Sequence, residues 1–150
     1  MCMLKEKMEM VLDKGQDLSL LFLRLILAYG FYGPMMSKWT DMGAVAKWFG
    51  EELGLPFPLL NAYMAASTEA LGVVLLTLGL GVRFISLPLM VVMVVAITTV
   101  HIGNGFSAGD NGFEIPLYYM LMLFVLATHG GGKWGIDGLF CKKSCDGVQV

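Results

Sequence analysis

The stretch FISLPLMVVMVVAITTV, from Phe84 to Val100, holds no charged side chain. As a helix rising 1.5 Å per residue, it is close to the length that crosses a hydrocarbon core about 30 Å thick. It has company on both sides. From about Leu18 to Ser37, from about Leu59 to Leu80 and from about Ile115 to Thr128 the chain is again apolar, broken only by Arg24 in the first stretch and Glu69 near the middle of the second. The expected architecture is therefore an all-α, integral membrane four-helix bundle. It forms a single membrane domain over residues 1–150, with spans at about 18–37, 59–80, 84–101 and 115–129 and a tail at 130–150.

Composition agrees with the pattern. Of the 150 residues 57% are hydrophobic and only 15% charged, and the mean hydropathy is +0.71, an apolar excess that a soluble core of this size cannot hide. The net charge of -2 supplies no basic footprint, so nucleic acid is not an expected partner. Pro56 and Pro58 precede the second span, and Pro88 and Pro116 are expected in the first turn or so of the third and fourth. Gly33-Pro34 predicts a kink or an early end to the first. Gly79 and Gly81 bracket a connection short enough to force an antiparallel hairpin.

Lys5, Lys7, Lys14, Arg83, Lys133, Lys142 and Lys143 all fall on one side of this arrangement and only Lys38 and Lys47 on the other, which predicts cytoplasmic termini. Trp39 and Trp48 then mark the outer interface and Trp134 the inner one. Lysine mixed with acidic residues before the first span, and Arg24 within it, argue against a cleaved signal peptide. Two short amphipathic helices are expected at the interfaces. One covers residues 3–13, with Leu4, Met8, Val11 and Leu12 on one face; the other covers residues 42–53, with Val45, Trp48, Phe49 and Leu53 together, Asp41 as its cap and Gly54 at its end.

Ionisable groups inside a membrane are costly and default to functional candidates. Arg24 lies about five residues, or about 7 Å, from the middle of its span, so a long guanidinium reaching Glu69 is expected. Such a pair serves as a proton relay or ligand carboxylate, or else fixes helix register. Ala65, Ala66 and Gly72 around Glu69 point it inward. A second group gathers at the outer ends: Lys38, His101 and Glu114, with Asn104, Asp110 and Asn111 between them and Tyr118 one turn below Glu114. It reads as a polar site for the headgroup of a quinone or another small molecule, with His101 exchanging protons near neutral pH, or as ordinary interfacial polarity. The candidate catalytic residues are Glu69 and His101. The candidate ligand-binding residues are Lys38, His101, Glu114, Arg24 and Glu69.

Other chemistries fit less well. His101 and His129 fall at opposite ends of the bundle and cannot share one haem within a protomer. Cys2, Cys141 and Cys145 lie in segments expected to be cytoplasmic, and the Cys141/Cys145 spacing is not that of a thioredoxin-like or zinc motif. No metal site and no covalently held cofactor are expected. The methionines read as pliable packing.

The order of these features resembles the DoxX family of small four-helix membrane proteins. The likeness runs from about Leu18 to Asp137. It is carried by Arg24-Leu25 followed by Gly30, Gly33 and Lys38; by Gly54-Leu55-Pro56; by Glu69 with Gly72; by Gly79-Leu80-Gly81-Val82-Arg83; by Ala96 to His101; and by the tail Gly130 to Asp137. The resemblance implies a prokaryotic inner-membrane protein tied to redox systems, one member being a subunit of an archaeal thiosulfate:quinone oxidoreductase. The reading that follows is a small subunit or accessory of a quinone-linked oxidoreductase, with electrons arriving from a bound quinone or a redox partner protein. Its alternatives are a transporter or binder of a small hydrophobic molecule and a structural assembly partner. Homo-oligomerisation through Ala62, Ala66 and Ala70 is one use of that small-residue stripe; packing within one chain is the other.

Overall fold

The computed structural model describes the backbone of residues 2–138 and the side chains of residues 15–138. Readings that rest on the side chains of Cys2, Cys141 and Cys145, or on the apolar face of residues 3–13, lie outside the described residues. Among the described residues the chain is helical: α1 (Cys2–Thr40), α2 (Met42–Glu51), α3 (Pro58–Leu78), α4 (Val82–Ala96) and α5 (Glu114–His129). The helices α1, α3, α4 and α5 form the up-and-down membrane bundle, and α2 packs across α3 at one end. The parts of α1, α3 and α4 that are long and apolar enough to cross a membrane are Gly15–Thr40, Pro58–Leu78 and, with the turns after α4, Val82–Asn104. The fourth, α5, has 16 residues, about 24 Å, and is the short member.

Three local expectations change. The segment at 3–13 is helical but continuous with α1, not a separate surface helix. The helix also does not end at Gly33-Pro34; it runs through Pro34 to Thr40, leaving the carbonyl of Gly30 without its usual donor. Pro88 sits well inside α4, past its first turn. Membrane helices tolerate such prolines because neighbouring groups can meet the freed carbonyls.

The bundle is sorted as a bilayer requires. Large apolar side chains such as Phe22, Ile26, Phe84 and Leu121 stand exposed around it, while small residues and a few leucines fill the inside. On α3 the buried positions are Ala62, Ala66, Glu69, Gly72 and Leu76, a stripe at helical spacing. Ala62 and Ala66 therefore pack this chain's own helices. A Cβ at Gly72 would come within 2.8 Å of the Leu89 side chain, so glycine is what lets α3 and α4 touch there. Gly72→Ala is expected to cost about 1–3 kcal/mol through overpacking, measured by denaturation in detergent micelles; a neutral result would mean that Leu89 rotates away freely.

Below that contact the α3–α4 turn closes on two left-handed glycines, Gly79 (φ 69) and Gly81 (φ 58), with the amides of Gly79 and Leu80 both donating to the Leu75 carbonyl. Asp41 caps α2 as its sequence suggests, accepting from the Ala44 amide at 2.9 Å. The exposed pair Lys47–Glu51 spans one turn of that helix at 3.8 Å. The helix ends at Glu51, and Gly54 (φ 62) turns the chain three residues later.

The part of α1 around Asp17 and the tail after α5 meet at the hairpin end of the bundle. The Lys133 amide donates to the Asp17 carboxylate at 3.1 Å, and its ammonium lies 3.2 Å from the other oxygen. Arg83 donates to the His129 carbonyl at the foot of α5. Trp134 is exposed at this end, whereas Trp39 and Trp48 are exposed at the other, so the aromatic positions do divide between the two ends.

Candidate functional site

Glu69 is the buried carboxylate of α3, 2% exposed, and its partner is Lys38. The Lys38 ammonium donates to Glu69 Oε1 at 2.9 Å and to Oε2 at 2.8 Å. The expected pairing of Arg24 with Glu69 is not formed. Arg24 lies against Gly79, ten residues and so about 15 Å along α3 from Glu69. The register of α1 on α3, together with the unbroken passage of α1 through Pro34, carries Lys38 down to the carboxylate and Arg24 away from it.

Arg24 is held in a cradle of glycines. It is 1% exposed, and a Cβ on Gly79 would overlap its Nη1; Cβ atoms on Gly131 and Gly135 would also crowd that nitrogen, at 3.3 and 2.7 Å. Its Nη2 donates to the Trp134 carbonyl at 3.4 Å, and the Asp137 amide donates to the Gly79 carbonyl at 3.2 Å. Nε and Nη1 have no hydrogen-bond partner among the described residues. The tail glycines Gly131 and Gly135 thus make room for a buried guanidinium that ties α1, the α3–α4 hairpin and the tail together.

Above the ion pair the helices part around a cavity of about 670 Å³, within the usual range for a small-molecule site. Lys38 and Glu69 lie in its wall, Phe31 and Met93 lie among its apolar residues, Trp48 and Phe49 come from α2, and His101 belongs to it as well. After Ala96 the third span widens into a π turn over Ile97–His101, where the hydroxyls of Thr98 and Thr99 bond back to Val94 and Val95 carbonyls. Such turns recur at functional sites. His101 Nδ1 lies 2.8 Å from the Asn111 carbonyl. Because a carbonyl only accepts, Nδ1 carries the proton of the neutral ring and Nε2 is left as an acceptor.

Glu114 stands elsewhere. It accepts from the Ala108 amide at 2.9 Å and from the Tyr118 hydroxyl at 3.1 Å, which ties the loop after α4 to the start of α5, and neither it nor Tyr118 lines the cavity. Asn111 lines the cavity and its carbonyl also accepts from Asn104; Asp110 and Asn104 do not line it. Of the five candidate ligand-binding residues the structure therefore brings Lys38, Glu69 and His101 to one cavity and leaves Arg24 and Glu114 outside it. Asn61, Thr68 and Tyr119 line the cavity and were not singled out from the sequence. Asn61 and Thr68 repeat at helical spacing beside Glu69, a polar stripe in an apolar span that does announce the cavity-facing side of α3.

Chemically the site joins a fixed charge pair to apolar walls. Lysine has three N–H donors, and the carboxylate takes two directions, so one N–H remains for a guest. The carbonyl of Gly30, freed by Pro34, belongs to a residue of the same wall.

Fold and site define a multi-pass helical membrane protein with a buried polar pair under a mid-sized cavity. The chain belongs to the DoxX family, whose model matches residues 19–102. It is similar to an uncharacterised protein of Haemophilus influenzae, 34% identical over 135 residues that cover 85% of this chain and 87% of the relative. A second uncharacterised protein of that organism is 31% identical over 135 residues, covering 88% and 98%. A Bacillus subtilis protein named "Putative oxidoreductase CatD" is 30% identical over 137 residues, covering 91% and 97%. No solved structure matches the chain.

Proposed function

We propose that the chain is a small membrane subunit or accessory of a quinone-linked oxidoreductase, set in a prokaryotic inner membrane with its termini in the cytoplasm, and that its cavity receives the quinone headgroup. The observation that carries this reading is the Lys38–Glu69 pair in the wall of an apolar cavity that His101 also lines. A quinone ring has carbonyl oxygens that need donors, and its reduced form has hydroxyls that need acceptors. The third N–H of Lys38 suits the first, and Nε2 of His101 suits the second. A bound quinone supplies two-electron, two-proton chemistry, and a partner redox protein supplies the electrons. The name of the Bacillus subtilis relative supports the oxidoreductase class, and the Lys and Arg bias supports the orientation.

A binder is favoured over a conduit by the packing beneath the site. Between the ion pair and the Arg24 cradle the bundle is filled by Leu27, Leu76, Leu89 and Leu123, each 0% exposed.

Extraction of the full chain in native lipid is expected to bring quinone with it. His101→Ala is expected to lower quinone-dependent turnover in membranes by about a hundredfold or more, the size of effect typical of a lost proton-exchanging group. Quinone-free extracts together with unchanged turnover reject the reading.

A further inference from the structure

We propose that this cavity is entered sideways from the hydrocarbon, through a cleft between α3 and α4, and that its ligand is a single-chain amphiphile whose tail stays in that cleft. The inference rests on the headgroup reading above and adds the route and the class of ligand. Met64 and Thr68 on α3, and Pro88, Val91 and Val95 on α4, all line the cavity. Met64 (59%), Val91 (62%) and Val95 (41%) are also exposed on the outside of the bundle. Residues that belong both to the cavity wall and to the outer surface mark an opening.

The depth of that opening decides what it faces. Val91 lies near the middle of the Val82–Asn104 span, and Met64 and Thr68 lie about 9 and 15 Å below the start of α3 at Pro58. At such depth the surrounding medium is acyl chain. The cleft closes below, where Leu89 seats on Gly72 and the hairpin follows. The opposite seam, between α1 and α5, is covered by Tyr119, whose ring packs directly on Gly30 and meets Phe31 edge-on at 5.6 Å. The walls of the cleft are aliphatic apart from Thr68, and the Lys38–Glu69 pair lies at the cavity that it reaches. A ligand with a carbonyl or hydroxyl head and one long apolar chain satisfies both surfaces at once; a double-chained phospholipid or a fully water-soluble molecule does not.

The test uses the full chain in nanodiscs and two probes with the same benzoquinone ring, one carrying a decyl chain and one a methyl group, with binding followed by quenching of Trp48 fluorescence. Val91→Phe and Met64→Phe each narrow the cleft at a lipid-facing position. Either folded variant is expected to slow association of the decyl probe by about tenfold while leaving the methyl probe within about twofold of the unsubstituted chain. Equal slowing of both probes, or slowing by neither variant, overturns the lateral route while binding itself still stands. If neither probe binds the unsubstituted chain, the headgroup reading fails and the route with it.

Discussion

Lys38→Met is expected to destabilise the bundle by about 3–5 kcal/mol, because it strands the Glu69 carboxylate without its partner in the bundle interior. Glu69 is 2% exposed and has no other hydrogen-bond donor among the described residues. Glu69→Leu is expected to cost less than Lys38→Met, since the Lys38 side chain remains 19% exposed and can turn its ammonium toward the helix end. The double variant Lys38→Met/Glu69→Leu is the informative one. Replacing a buried pair by apolar side chains of similar volume is often neutral or stabilising, so the double variant should recover to within about 1 kcal/mol of the original chain. Unfolding in mixed micelles reads these values. On the proposed function, quinone binding should be lost in all three proteins. Retained binding in the double variant would show that the pair serves packing alone.

Gly79→Ala is expected to cost about 3 kcal/mol, from two sources that can be separated. An alanine at φ 69 carries a left-handed backbone penalty of about 1–2 kcal/mol. Its methyl group would also overlap Arg24 Nη1 and meet the Gly135 backbone, an overpacking of about 1–3 kcal/mol. Gly81 provides the comparison: it has nearly the same conformation, φ 58, and nothing within 4 Å of a built Cβ. Gly81→Ala should therefore show only the backbone part, about 1–2 kcal/mol. In an Arg24→Ala background the cost of Gly79→Ala should shrink by about 1 kcal/mol or more, which a double-mutant cycle measures directly. Equal costs at Gly79 and Gly81 would mean that the guanidinium does not occupy the glycine cradle.

Much of this architecture was readable in the residues themselves. The uncharged run from Phe84 to Val100, the paired glycines at 79 and 81, the Asp41 cap and the inward face of Glu69 follow from helical periodicity, local φ preferences and the cost of exposing charge to lipid. Those are properties of single segments. Proline was harder to read, because Pro34 and Pro88 break helices in water yet are carried inside α1 and α4 here.

Which polar groups meet was a different matter. Glu69 lies near the middle of its span and Arg24 about 7 Å from the middle of the adjacent one, a gap within reach of a long guanidinium; the folded chain instead sets Arg24 beside Gly79 and Lys38 on Glu69. Glu114 has the right depth for the cavity but is turned into the loop by the Ala108 amide and the Tyr118 hydroxyl.

The sequence by itself determined the spans, the family resemblance and the short roll of charged side chains that lipid cannot explain, because each of these depends on hydrophobicity and periodicity along one helix. Only the tertiary structure decided the Lys38–Glu69 partnership, the glycine cradle of Arg24 and the cavity beside the ion pair. Two antiparallel helices can slide past each other by a turn, about 5.4 Å, without changing which face is apolar. What fixes their register is close packing at points such as Gly72 against Leu89, and that contact exists only once both helices are in place.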